Sequence, residues 1–260
     1  MKEISSAENH AVKLIKKLAQ KKYREETGLF IIEGLRACEL AATSPFQIDS
    51  FWLSESFLAQ NHQCNPFWQS FPCTCIPDKI FASCTDTQSP QGILCLAKIP
   101  HSFTNPSGHC YLYLDNVRDP GNIGTMIRSA DALGFDGIFL SAGCADLYSP
   151  KVIRSAMGSL FSIETVTDCS HSTLIDLQQK GYQIIASALR DDSLNLYHAH
   201  WNEKIIFVLG NEANGVSHEI IEMADMTVKI PMHGSAESFN VSIAAALMMG
   251  EVTRRKYEEH

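Results

Sequence analysis

Ile205-Ile206-Phe207-Val208-Leu209-Gly210-Asn211-Glu212-Ala213-Asn214-Gly215-Val216-Ser217 decides how the rest of the chain is read. Its first five residues are continuously apolar, as a strand covered on both faces of a sheet requires. The glycine and small polar residues that follow form a loop at the carboxyl end of that strand. Open parallel α/β sheets hold their ligands at such ends. Outward from this point, short apolar runs alternate with runs of helical spacing. Strands are expected at 111–114, 137–140, 161–165, 183–188 and 227–230. Helices are expected at 122–133, 150–158, 172–180 and 240–256. Strict alternation predicts a mostly parallel sheet with helices on both faces.

A chain of 260 residues has room for two domains. The stretch Pro100 to Gly108 is rich in Pro, Ser, Gly and Asn with little to bury, so residues 98–109 read as a linker. Before it, residues 1–97 read as a small layered α/β domain. Asn9 is placed to cap a first helix with Ala11, Leu14, Ile15, Leu18 and Ala19 on its apolar face, and Gly28 lies beyond its end. A strand at 29–33, a turn at Gly34, a helix at 36–42 and strands at 48–53 and 92–97 follow. Residues 57–89 give no clear pattern.

Composition excludes several classes. Apolar residues make up 45% and charged residues 19% of the chain, which is globular rather than disordered. No apolar run is long enough to cross a membrane, and the opening MKEISSAENH lacks the apolar core of a signal peptide. The nine cysteines then read as reduced thiols, and a cytoplasmic protein is expected. Cys73 and Cys75 have the wrong spacing for a zinc site, and no metal is expected. The net charge of −8 is concentrated after residue 97. Lys13, Lys16, Lys17, Lys21, Lys22 and Arg24 make an acid-free basic stripe near the start. It reads either as a solvated face or as a phosphate-binding one.

Two further loops match the first in character. Asp115-Asn116-Val117-Arg118-Asp119-Pro120-Gly121-Asn122 is strong turn chemistry, and Asn122 is placed to cap a helix that carries Arg128 off its apolar face. Pro231 to Asn240 is a long polar loop before a helix that is apolar nearly all round. Such a helix is buried in the fold or against another chain, with Ser238 or Asn240 as its cap. His233 in this loop reads as incidental. Neither the glycine fingerprint of a dinucleotide site nor a phosphate-binding P-loop is present, which argues against a nicotinamide-dependent oxidoreductase.

Three segments together, Asn122 to Ala130, Leu209 to Ser217 and Ile230 to Ser242, resemble the three motifs of the SpoU (TrmH) RNA methyltransferases, in order and in separation. The front part, through Gly28 to Arg36 and Gln91 to Ile93, resembles that family's L30e-like substrate-binding domain. The resemblance implies an L30e-like domain at 1–97 and, at 110–260, a SPOUT-type catalytic domain with a trefoil knot, dimerising through the knot and final helix. It implies S-adenosylmethionine held by Leu209, Gly210, Ile230, Met232, Ser238 and Phe239, largely through main-chain groups. Phe239 and Ala213 stand where leucine and glycine are common. The implied reaction is methyl transfer to a ribose 2′-hydroxyl of RNA, with rRNA expected ahead of tRNA. A non-catalytic RNA-binding relative is the rival, and the intact set Asn122, Arg128, Glu212, Ser238 and Asn240 argues against it. Arg128 is expected to grip a phosphate and stabilise a developing alkoxide, since a guanidinium is too weak an acid to serve as a base. The basic stripe and Arg36 are the expected RNA contacts.

Overall fold

Two sheets organise the residues described, 1–61, 66–100 and 106–258 of a computed structural model. In chain order the elements are β1 (Lys2–Glu3), α1 (His10–Lys17), α2 (Lys21–Thr27), β2 (Leu29–Glu33), α3 (Leu35–Thr43), β3 (Ile48–Ser54), α4 (Glu55–Asn61), β4 (Cys73–Ile76), α5 (Asp78–Ala82) and β5 (Ile93–Lys98). They continue as β6 (Cys110–Leu114), α6 (Pro120–Ala132), β7 (Gly137–Ser141), α7 (Pro150–Ala156), β8 (Glu164–Cys169), α8 (His171–Gln179), β9 (Gln183–Ser187), β10 (Leu194–Asn195), β11 (Ile205–Leu209), α9 (His218–Met223), β12 (Met226–Lys229) and α10 (Val241–Glu258). The chain divides into two compact units, Met1–His101 with Tyr148–Phe161, and Ser102–Leu147 with Ser162–His260. The division after the first stretch falls inside the expected linker, of which residues 101–105 lie outside those described. The segment carrying α7, expected with the second half, packs instead with the first unit.

The first unit has the five-stranded order β1-β4-β3-β5-β2, with β5 antiparallel to both of its neighbours. One face buries Val12, Ile15 and Leu18 of α1 against Trp52, Ile76, Leu94 and Leu96. The single helix expected after Asn9 is in fact two. Asn9 does cap α1, accepting from the Ala11 N–H at 2.9 Å. The chain then breaks near Leu18, and Gly28, at φ +65°, terminates α2 in the left-handed conformation that glycine adopts without strain. The buried face runs through Val12 at three-residue spacing, while Ala19 is exposed. Residues 57–89, unread in the sequence, hold the end of α4, a 3-10 turn at Phe67–Ser70, β4 and α5. Elements this short carry too few residues to show a period.

The second unit is a seven-stranded sheet, β10-β12-β9-β11-β6-β7-β8, in which every strand pair is parallel. β6 and β11 are buried at all five positions, which is why their sequences are continuously apolar rather than alternating. The expected strand at 161–165 forms later, at Glu164–Cys169, after a 3-10 turn at Ser159–Phe161. β12 lies beyond β9, yet α10 after it packs on α6 and β11 at the middle of the sheet. The tail therefore turns back from near the edge to the centre, the re-entrant step that a trefoil threading needs. Two clasps hold α10 there. Thr253 Oγ1 donates to the Leu133 carbonyl at 2.8 Å, just past the end of α6. Glu251, buried, accepts from Arg254 at 2.8 and 2.9 Å and from Arg255 at 2.7 Å. Arg255 in turn donates to the carbonyls of Ala199 and Leu196 and lies 4.0 Å over the Trp201 ring.

Candidate active site

Three loops meet at the carboxyl ends of β6, β11 and β12, and a chain of carboxamides ties them together. Asn240 Nδ2 donates to Asn122 Oδ1 at 3.2 Å, and Asn122 Nδ2 donates to Glu212 Oε1 at 2.9 Å. One residue from each loop is thus joined across more than a hundred positions of sequence. Asn122 is free for this because it is not the cap of α6, contrary to expectation. Asp119 caps that helix, accepting from the Asn122 N–H at 2.8 Å, and Pro120 occupies the first helical position, where a missing N–H costs nothing. Asn240 does cap α10, its Oδ1 accepting from Ser242 N at 2.9 Å and Ser242 Oγ at 2.7 Å. The cap fixes the side chain whose amide then reaches Asn122.

The second loop is a closed turn. The Gly215 N–H returns to the Asn211 carbonyl at 2.8 Å, and Asn211 Oδ1 accepts from the Ala213 N–H at 3.0 Å. Gly210 is required here by the chain itself. A Cβ at that position would fall 2.0 Å from the Gly215 carbonyl carbon and 2.1 Å from Val216 N, before any ligand is considered. Beneath the turn, Asp115 is a buried carboxylate. It accepts from the Ser217 N–H at 2.8 Å and from Asn116 Nδ2 at 2.7 Å, and Asn211 Nδ2 donates to the Asn116 carbonyl at 2.9 Å. Asp115 therefore locks the first loop to the far end of the second. The sequence reading did not single it out, although an acid closing the apolar strand Cys110–Leu114 was the signal.

Arg128 stands on the exposed face of α6 and makes no hydrogen bond or ion pair among the described residues. It lies six residues along the helix from Asn122, a rise of about 9 Å. The relay does not include it. Ser238 is exposed and likewise outside the relay. Leu209 and Ile230 are buried, Met232 is half-buried, and Phe239 is exposed. From Met232 to Phe239 no main-chain or side-chain group is hydrogen-bonded among the described residues, although the segment lies between a strand and a helix. An irregular strip of unpaired N–H and C=O groups beside apolar side chains fits a ligand with an adenine-like ring and a polar tail, held by main-chain contacts. His233 is exposed in this strip.

Cysteine chemistry does not enter. Burial pushes the thiols of Cys84, Cys110 and Cys144 above their ordinary value, and that of Cys169 up to about 12, so these groups stay protonated and non-nucleophilic at neutral pH. Among the described residues, no cluster of His, Cys, Asp or Glu could hold a metal ion, and no helix is long and apolar enough to cross a membrane.

The first unit disposes its basic residues unevenly. Lys16 and Lys17 are exposed, and Lys17 lies 5.1 Å from the Tyr23 ring centroid. Lys13 pairs with Glu8 at 2.5 Å, Lys21 with Glu25 at 3.5 Å and Lys22 with Glu26 at 3.8 Å. Arg24 corrects the expectation of an RNA contact. It is buried and donates to the Leu18 carbonyl at 2.6 Å, closing the end of α1. Arg36 is exposed on α3.

The chain matches the SpoU rRNA Methylase family model over residues 109–250 and an MRM3-like substrate binding domain over residues 9–95. It is 34% identical over 249 residues to the Bacillus subtilis 23S rRNA (guanosine(2553)-2'-O)-methyltransferase RlmP, covering 96% of this chain and 98% of that one. To the Aquifex aeolicus tRNA (guanosine(18)-2'-O)-methyltransferase it is 32% identical, over only 57% of this chain and 70% of the relative. The crystal structure of an AdoMet-bound rRNA methyltransferase from Sinorhizobium meliloti superposes with a TM-score of 0.87 at 30% identity, over 98% of each chain.

Proposed function

The chain belongs to the SpoU rRNA methylase family, and on that premise we propose that its three-loop site methylates a ribose 2′-hydroxyl of 23S rRNA, with Arg128 activating the oxygen. S-adenosylmethionine is the cofactor, and when bound it supplies an electrophilic methyl group. The fold is that of a SPOUT-type methyltransferase preceded by a substrate-binding domain. Residues 1–97 serve as that domain, 98–109 as the link and 110–260 as the catalytic part. The observation that carries the site assignment is the Asn240–Asn122–Glu212 relay, which fixes the three motif loops against one another.

Each residue then has a physical task. The strip at 230–239, with Leu209 and Gly210, binds the cofactor through main-chain groups, and Ile230, Met232 and Phe239 give apolar walls. Ser238 contributes a hydroxyl to the same strip. Arg128, solvent-facing and unpaired among the described residues, grips the phosphate beside the target ribose with two N–H groups and stabilises negative charge as it develops on the 2′-oxygen. The proton leaves to that phosphate or to water. Asn122, Glu212 and Asn240 are positioning residues that hold the reacting groups in line, where alignment supplies a large part of the rate. Lys16, Lys17 and Arg36 draw in the RNA, with Lys13, Lys21 and Lys22 adding to the field. Two copies of the chain pair through α10, where Ile243 is exposed and Leu247 and Gly250 follow it at helical spacing. The protein works in the cytoplasm.

Ribosomal rather than transfer RNA is favoured because the relative named for 23S rRNA matches along the whole chain, front domain included. The tRNA-named relative matches little more than the catalytic part. The test is transfer of labelled methyl to protein-free 23S rRNA and to bulk tRNA, followed by mapping the 2′-O-methyl mark. A mark on 23S rRNA that is absent in a strain lacking the protein is expected. A mark on tRNA alone overturns the substrate, and binding of NAD in place of S-adenosylhomocysteine overturns the reading.

A further inference from the structure

The first unit carries a second cleft, far in sequence from the three loops. It encloses about 320 Å³ and is lined by Glu33, Arg36, Thr87 and Gln91 and by Arg154 of α7, among others. Arg154 is its unusual member. It is half-buried, and among the described residues its fully buried Nη1 has no hydrogen-bond partner and no carboxylate pairs with it. An N–H group held out of water without an acceptor is costly, and the rest of this half-buried guanidinium stays within reach of a ligand. A smaller void lined by Arg154, Thr85, Glu33 and Asp86 measures about 20 Å³, room for no more than one water, so only the wide cleft can admit a larger ligand. Glu33, the one acid on that side, accepts from the Thr87 hydroxyl and makes no ion pair with Arg154. Gln91 Oε1 takes the Leu35 N–H at 2.8 Å, which leaves the Gln91 amide nitrogen as a donor. Two guanidiniums and an amide thus face the cleft against one occupied carboxylate.

We propose that this cleft is an RNA subsite that seats one backbone phosphate of the substrate on the Arg154 fork, with Arg36 at its mouth. The assignment rests on the RNA methyltransferase reading and names a contact outside the three motif loops. A planar fork with unengaged N–H groups suits bidentate phosphate recognition, and a lysine does not replace it.

The test uses the full-length protein and an unmethylated 23S rRNA transcript. Affinity is measured between low and moderate salt for wild type, Arg154→Met, Arg154→Lys and Arg36→Gln. Both Arg154 variants are expected to weaken RNA binding roughly five- to tenfold; Arg154→Met, which removes the charge, should also flatten the log–log salt slope by about 0.7–0.9, the share of one phosphate, whereas Arg154→Lys keeps the slope and loses only the fork. KM for RNA should rise while kcat at saturating RNA and affinity for S-adenosylhomocysteine hold. Arg36→Gln, on an exposed side chain, should give a smaller loss of the same kind even if Arg154→Met folds poorly. Wild-type affinity in folded Arg154→Lys, together with wild-type affinity and slope in Arg36→Gln, would overturn the subsite alone. A wild-type protein that binds neither the RNA nor S-adenosylhomocysteine would overturn the underlying reading instead.

Discussion

The two units hold their functional polar groups in opposite ways. In the second, Asn122, Glu212 and Asn240 are bonded to one another, and Asp115 binds the loops beneath them. In the first, several of the basic residues are paired with acids near them in sequence, and others stand alone. A bonded set is preorganised, so disturbing one member should be felt at the reacting centre. A charged surface acts as a field, so its members should act weakly and separately. The largest effect that would break this contrast concerns Arg128. Arg128→Ala should lower single-turnover methyl transfer by about 10²–10³-fold, and Arg128→Lys nearly as much, with affinity for S-adenosylhomocysteine unchanged in calorimetry. Equal loss of turnover and cofactor binding would mean that Arg128 shapes the cofactor pocket and does not act on the oxygen.

The relay comes next. Asn122→Ala and Glu212→Gln should each cost about 10²-fold in kcat/KM, because a misplacement of about 1 Å has that consequence. The double variant should be little worse than either single one, since both break the same connection. Additive losses would show that the two residues serve separately.

Legibility followed the same divide. The loops of the second unit could be read because each begins where a continuously apolar strand ends, so Leu209-Gly210 and Ile230-Pro231 mark their own positions. What the sequence hid was who bonds to whom. Asn122 looked like a helix cap, and only the placement of Asp119 and Pro120 frees its amide for Glu212. Asp115 passed as an ordinary turn acid because burial is not visible in a residue's neighbours. In the first unit the lysines were legible as a stripe, yet Arg24 within it faces inward to the Leu18 carbonyl. Helical spacing gives the face a residue occupies, and a break in the helix at Leu18 changes that face.

A third test asks whether the second unit's order extends to its tail. The Arg254 hydrogen bonds, opposed by burial and reinforced by Arg255, hold the Glu251 carboxyl at about 2 against an ordinary 4.5. A depressed carboxylate stabilises fully above its unfolded value and loses that contribution as pH falls through the folded one. Glu251→Gln should therefore lower stability by roughly 1.5–3 kcal/mol at pH 7. The gap between the two melting temperatures should narrow from about pH 4.5 and close near pH 2. A gap independent of pH would assign the loss to packing of α10 and not to charge.

The smallest effects belong to the basic stripe, and they sharpen the comparison most because its members differ in their pairing. Lys16 is exposed and in no ion pair among the described residues, whereas Lys21 and Lys22 each face a glutamate one turn away. Exposed pairs of that kind contribute about 0.3–0.5 kcal/mol to a helix, and they partly cancel the charge that a phosphate would meet. Neutralising Lys16 and Lys17 together should reduce the salt slope of 23S rRNA binding by about 1 and weaken binding severalfold at low salt. Lys21→Gln with Lys22→Gln should do less, because a lysine already engaged with a glutamate neutralises less phosphate charge in the first place. Arg24→Met should leave the slope untouched and lower thermal stability, since it removes the bond to the Leu18 carbonyl. Equal slopes for all three sets would mean that α1 and α2 are a solvated face, and that RNA is drawn in elsewhere on the first unit.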